Sequence, residues 1–115
     1  MKDKDGKVTS YKSKTDVYRK FDKIVILING SSASASEILT LALKENIDAK
    51  VVGVKSFGKG TVQETRSLSS GAMVKYTTSY WLSPNGNSIN KIGIKPDYEE
   101  KDEGKQLDLA ISVAQ

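Results

Sequence analysis

The sequence predicts a small α/β (α+β) domain, and three stretches carry that prediction. Lys23-Ile24-Val25-Ile26-Leu27-Ile28-Asn29 is a continuous β-branched and aliphatic run, the pattern of a strand covered on both faces. Beyond it, Ile38, Leu39, Ala42 and Leu43 recur at helical spacing from Ala35 to about Asn46. Further on, residues 61–68 and 73–82 are rich in strand-forming side chains and are separated by Ser69-Ser70-Gly71-Ala72, which reads as an antiparallel hairpin. A chain of 115 residues, 37% hydrophobic, can build one modest core, and no internal repeat or domain boundary interrupts it.

Residues 1–20 hold seven lysines and arginines against two aliphatic residues, Val8 and Val17. They read as a flexible basic lead-in, a loop or a frayed, partly extended segment of poor order. The buried run then stops at Asn29-Gly30, and the serines that follow suit the first turn of a helix. Residues 49–54 form a second short buried strand, so the first half is a β-α-β crossover with two parallel strands in one sheet. Residues 55–60 are a polar loop with two glycines, Ser83-Pro84-Asn85-Gly86-Asn87 is a turn, and residues 92–97 are a short extended stretch. Residues 106–114 show the 107, 110, 111, 114 spacing of a terminal amphipathic helix.

Composition removes several chemistries. The chain has neither cysteine nor histidine, so disulfides, thiol catalysis, thiolate metal sites and the usual imidazole base are excluded. Any hydrolase built on these residues must activate its nucleophile with a carboxylate, a lysine or a terminal amine. The formal charge of +4 does not point to nucleic acid, because the basic residues concentrate in the lead-in and are interleaved with acids elsewhere. No run approaches the roughly 20 apolar residues of a membrane span, and the charged start lacks the apolar core of a secretory signal. Such a start suggests a piece excised from a longer polypeptide.

Two segments could carry chemistry. In Ser31-Ser32-Ala33-Ser34-Ala35-Ser36-Glu37, small residues sit between a buried strand and a helix, where backbone N–H groups and the positive helix end can stabilise an anion on a bound carbonyl. The same serines also serve as helix caps, with the alanines allowing close packing. In Phe57-Gly58-Lys59-Gly60-Thr61-Val62-Gln63, glycines allow a tight fold around a lysine that can lose its proton when buried. A solvated loop tip is the plainer reading. Residues 53–59 also satisfy the first seven positions of a phosphate-binding loop, but Gly60 stands where Ser or Thr must hold magnesium and strand-forming residues follow. No nucleotide is expected.

Taken together and in this order, the strand, the Ala33-Ser34-Ala35-Ser36-Glu37 turn, the helix, the second strand and Phe57-Gly58-Lys59-Gly60-Thr61-Val62-Gln63 resemble the catalytic core of the bacterial C-terminal processing (tail-specific) serine proteases. Their nucleophile lies 25 residues before their lysine base, as Ser34 lies before Lys59, and that count selects Ser34 over Ser31, Ser32 and Ser36. The resemblance carries a glutamine onto Gln63, as the residue holding the amine, and extends through Ser83-Pro84-Asn85-Gly86, Ile89 and Gly93-Ile94-Lys95-Pro96-Asp97. It covers roughly residues 21–112. Glu45 stands where some members have an aspartate on the helix and is a possible supporting residue behind the dyad, with a solvated helix face as the alternative.

The resemblance implies the C-terminal half of a crotonase-like catalytic domain, with the preceding part and a PDZ domain absent from this chain. It implies a Ser/Lys serine endopeptidase acting near the C-terminal tails of protein substrates, extracytoplasmic in its full-length form and needing no metal or organic cofactor. The Ala35 N–H is expected to be one oxyanion donor, with another amide supplied by the absent preceding segment, and the incomplete site implies little activity in this chain alone. Two readings stand against it: a non-catalytic fragment that captures an extended peptide on the hairpin edge of residues 61–82, and a structural α/β domain whose serines only cap a helix.

Overall fold

The computed structural model describes residues 1–15 and 20–115; residues 16–19, and with them Val17 of the lead-in, lie outside the described residues. The element order is β1 (Lys2–Asp3), β2 (Val25–Ile28), α1 (Ala35–Ile47), β3 (Lys50–Gly53), β4 (Thr61–Ser67), β5 (Met73–Tyr80), β6 (Tyr98–Glu99) and α2 (Glu103–Ala114). They form two three-stranded sheets, one ordered β2-β3-β6 and parallel, the other ordered β1-β5-β4 and antiparallel. The mixed helix-and-sheet class is the one the sequence predicts.

The crossover is present: β2 and β3 run parallel from Val25 opposite Lys50 to Ile28 opposite Gly53, with α1 between them. Val51 and Val52 of β3 are fully buried, and Ile28, Val51, Ile89 and Ile94 form the core cluster, with Ile26, Leu41 and Trp81 packed against it. Half of that cluster comes from irregular chain after β5. Asp97 fastens this segment to β3: its Oδ2 accepts from the Val51 N–H at 2.9 Å, its N–H donates to the Val51 carbonyl at 2.8 Å, and its Oδ1 meets Lys44 Nζ of α1 at 2.5 Å.

The hairpin is also present. Leu68 N–H donates to the Ala72 carbonyl at 2.7 Å, and Gly71 takes a φ of 86° in the turn, a conformation open to glycine at little cost.

The lead-in, expected as loop or partly extended chain, is extended at Lys2 and Asp3, which pair with Tyr80 and Ser79 of β5; Asp3 Oδ1 accepts from the Asp5 and Lys7 N–H groups, and Thr9 N–H reaches the Met1 carbonyl. Two expectations need correcting. Strand β2 is not covered on both faces; Leu27 is 43% exposed, and among the described residues β2 has a strand neighbour on one side only. Helix α2 starts at Glu103, where Asp102 caps it by accepting from Gly104 N–H at 3.0 Å. It buries Gln106 and Ala110 and leaves Leu107 and Ile111 exposed, since the Gln106 amide donates to the Glu100 carbonyl at 2.8 Å and turns that face inward. The parallel pairing to β3 begins at Tyr98, just beyond the stretch at residues 92–97.

Candidate active site

The site lies where β2 ends and α1 begins. Asn29 closes the turn, its carbonyl accepting from Ser32 N–H at 2.9 Å and its Oδ1 from Ser31 N–H at 3.0 Å. The Ser32 hydroxyl accepts from Asn29 N–H at 3.1 Å. Ser34 is the residue before the helix, with φ 53° and ψ −112°, and is one of three non-glycine residues with positive φ among those described. A β-substituted residue is rarely found there, and such strain persists only where neighbours over-determine it. Ser34 is half-buried, and Ala35, the first residue of α1, is exposed. The Ala35 N–H is thus one of the four at a helix start that have no partner within the helix.

The neighbour that fixes Ser34 is Glu37. Its side chain is fully buried, and Oε2 accepts from the Ser34 N–H at 2.9 Å, the reciprocal half of a capping box. The same carboxylate reaches across to the loop between β3 and β4. Its Oε2 also accepts from the Lys59 N–H at 2.9 Å, and its Oε1 accepts from the Gly58 N–H at 2.7 Å and from the Ser56 hydroxyl. The Phe57 N–H donates to the Ser32 carbonyl at 2.9 Å. The backbones of the two segments singled out in the sequence are therefore laced together.

Glycine is required in this loop. Gly58 has a φ of 89°, and a Cβ there would lie 2.8 Å from Gly93 N; at Gly60 it would lie 2.7 Å from Asn90 N. The Gly58 carbonyl accepts from Lys91 N–H and the Gly60 carbonyl from Trp81 N–H, so the loop is clamped between α1 and the closing segment. Residues 53–59, which begin like a phosphate loop, lead into strand β4 rather than a helix.

Among the described residues no hydrogen bond joins the Ser34 hydroxyl to the Lys59 amine, and the Lys59 side chain is exposed. Gln63 is also exposed, just past the irregularity in β4 between Val62 and Gln63. The Glu45 carboxylate accepts from Asn85 N–H at 2.7 Å; it braces the turn at residues 83–87 and forms no bond to the loop that carries Lys59. Glu37 was not singled out from the sequence. The signal was there, since Ser34-x-x-Glu37 is a capping-box pattern, but its partners across the site depend on the tertiary fold.

With this geometry in view, the likenesses to known proteins become specific. A "Probable CtpA-like serine protease" of Staphylococcus epidermidis is 53% identical over 75 residues, 65% of this chain and 15% of the relative. Its namesake in Staphylococcus aureus is 55% identical over 74 residues, 64% of this chain and 15% of that protein. Among solved structures, the photosystem II D1 C-terminal processing protease superposes with a TM-score of 0.67 at 41% identity, over 70% of this chain and 21% of that one. A lipoprotein from Streptococcus agalactiae gives 0.66 at 28% identity, over 80% of this chain and 31% of that one. The chain thus spans about 15% of the length of the curated relatives it matches. The model of peptidase family S41 matches residues 1–100, and the chain belongs to that family.

Proposed function

We propose that this chain carries the nucleophile and base of a serine endopeptidase that cleaves protein substrates near their C-termini, with Ser34 attacking and Lys59 moving the proton. The observation that carries the reading is the single buried carboxylate of Glu37, which accepts from both the Ser34 and the Lys59 N–H groups. It ties the backbone of a strained serine at a helix N-terminus to the backbone of a lysine, which supports the reading in a chain that has no histidine. A nucleophile on a tight strand-to-helix turn projects its oxygen toward substrate. The C-terminal preference follows the D1 processing protease by likeness.

In the proposed reaction the neutral Lys59 amine takes the Ser34 hydroxyl proton as Oγ attacks the scissile carbonyl carbon. The oxyanion accepts from the Ala35 N–H, which also sits at the positive end of α1. The C–N bond then breaks, Lys59 returns the proton to the leaving amine, and water attacks the acyl-enzyme through the same base. Gln63 orients the amine. The residues in this scheme supply the proton transfers without a metal or organic cofactor.

The proposal also takes the chain as part of a longer polypeptide that carries a PDZ domain and works outside the cytoplasm. The reading frame upstream of Met1 tests both points. A second reading has β4 capture an extended peptide without cutting it, and is favoured by one observation: β4 is paired with β5 alone among the described residues. Incubation of the full-length polypeptide with an unfolded protein separates the two. Peptide release that is lost in Ser34→Ala is expected, whereas binding without release would support the second.

A further inference from the structure

The wholly buried carboxylate of Glu37 has four donors, from Ser34, Ser56, Gly58 and Lys59, and among the described residues no cation is paired with it. A helix cap needs only the first of these. Burying a carboxylate is costly unless its oxygens are fully hydrogen-bonded, and bonds to a charged acceptor are the strong ones. The other three donors come from the loop that presents Lys59, and Ser56 extends the network by accepting from the Ile94 N–H at 2.7 Å.

We propose that Glu37 is the positioning residue of the site: it sets the Ser34 backbone in its strained conformation and fixes the Lys59 backbone beside it, so that hydroxyl and amine meet when substrate closes the site. The proposal rests on the reading of Ser34 and Lys59 as nucleophile and base. Misplacing such a pair by about 1 Å is enough to lose on the order of 100-fold in rate.

The test uses the full-length polypeptide and an unfolded protein substrate, with active sites counted by a fluorophosphonate that forms a serine Oγ–P bond and releases fluoride. Glu37→Gln keeps the size of the side chain. In either orientation of the amide, its NH2 group meets at least one N–H donor where an oxygen accepted before. We expect kcat per counted site to fall about 100-fold with KM within about threefold of the parent. A purely structural role would lower the melting temperature and the number of sites while leaving turnover per site unchanged, and that result would overturn the proposal.

Should Glu37→Gln fail to fold, Ser56→Ala decides, since it deletes one donor and spares the three backbone ones: a loss of about tenfold in kcat per site supports the proposal, and no loss overturns it. Ser34→Ala and Lys59→Ala complete the series. If both are inactive while Glu37→Gln turns over like the parent, positioning by Glu37 is wrong and the dyad stands. If either retains parental activity, the dyad reading is wrong and the positioning role falls with it.

Discussion

Ser34 combines a φ of 53° with a ψ of −112°, a region that glycine occupies freely and a serine enters only under constraint. Ser34→Gly therefore relieves strain while removing the proposed nucleophile. We predict a gain of about 1 kcal/mol in stability by denaturant unfolding, with loss of hydrolysis in the full-length polypeptide. The opposite sign is expected at Gly60, where a methyl group would sit 2.7 Å from Asn90 N; Gly60→Ala must move the Lys59 loop or the closing segment, and both hydrolysis and melting temperature should fall. At this scale the residue types alone left the choice among four serines open, and the resemblance in spacing selected Ser34. The conformation at Ser34 and the reach of Glu37 to a loop some twenty residues on were not legible, because both arise from packing rather than from local pattern.

At the scale of elements, strand-forming runs and turn residues predicted the β2-α1-β3 crossover and the β4–β5 hairpin, since period and turn chemistry are local properties. The faces of the helices were less legible. Helix α2 turns Gln106 and Ala110 inward and leaves Leu107 and Ile111 outside, so its apolar periodicity misstates the buried face by one position. Strand β6 escaped notice because its pairing depends on Asp97, which fastens the closing segment to β3 and α1. Removing that carboxylate leaves the N–H of fully buried Val51 without its side-chain acceptor. Asp97→Ala should cost about 1–3 kcal/mol in urea unfolding; a change within error would mean that the closing segment is held by its backbone hydrogen bonds and apolar packing without help from this carboxylate. After α1, the Lys50 ammonium, 2.8 Å from Asp48 Oδ1, holds the Asp48 carboxyl below its ordinary range, chiefly by hydrogen bonding and then by charge. A carboxyl lowered in the folded state stabilises above its unfolded pKa and ceases to do so as pH falls through the lower folded value. The difference between parent and Asp48→Asn in melting temperature should hence be constant from pH 7 to 5 and shrink under strong acid. It should be small, because the pair is solvent-exposed.

The whole molecule measures 56 × 35 × 24 Å with a radius of gyration of 16.8 Å, against about 13 Å for a compact domain of this length. Among the described residues the buried hydrophobic set is short, while Leu27, Leu39, Leu107 and Ile111 are exposed. Such a core supplies limited stability, and the Lys59 side chain is exposed. If the chain is part of a longer polypeptide, as proposed, it alone should hydrolyse unfolded protein at least about 100-fold more slowly than the full-length polypeptide, a loss of the size that removing one oxyanion donor brings. Equal rates would mean that the 115 residues form a complete catalytic unit. The central claim, that Ser34 is a nucleophile activated by Lys59, is tested most directly by fluorophosphonate labelling of the full-length polypeptide followed by peptide mapping. An adduct on Ser34 that is nearly abolished by Lys59→Ala is expected; an adduct on another serine, or labelling of Ser34 at parental rate in Lys59→Ala, would show that Ser34 is not a nucleophile activated by Lys59.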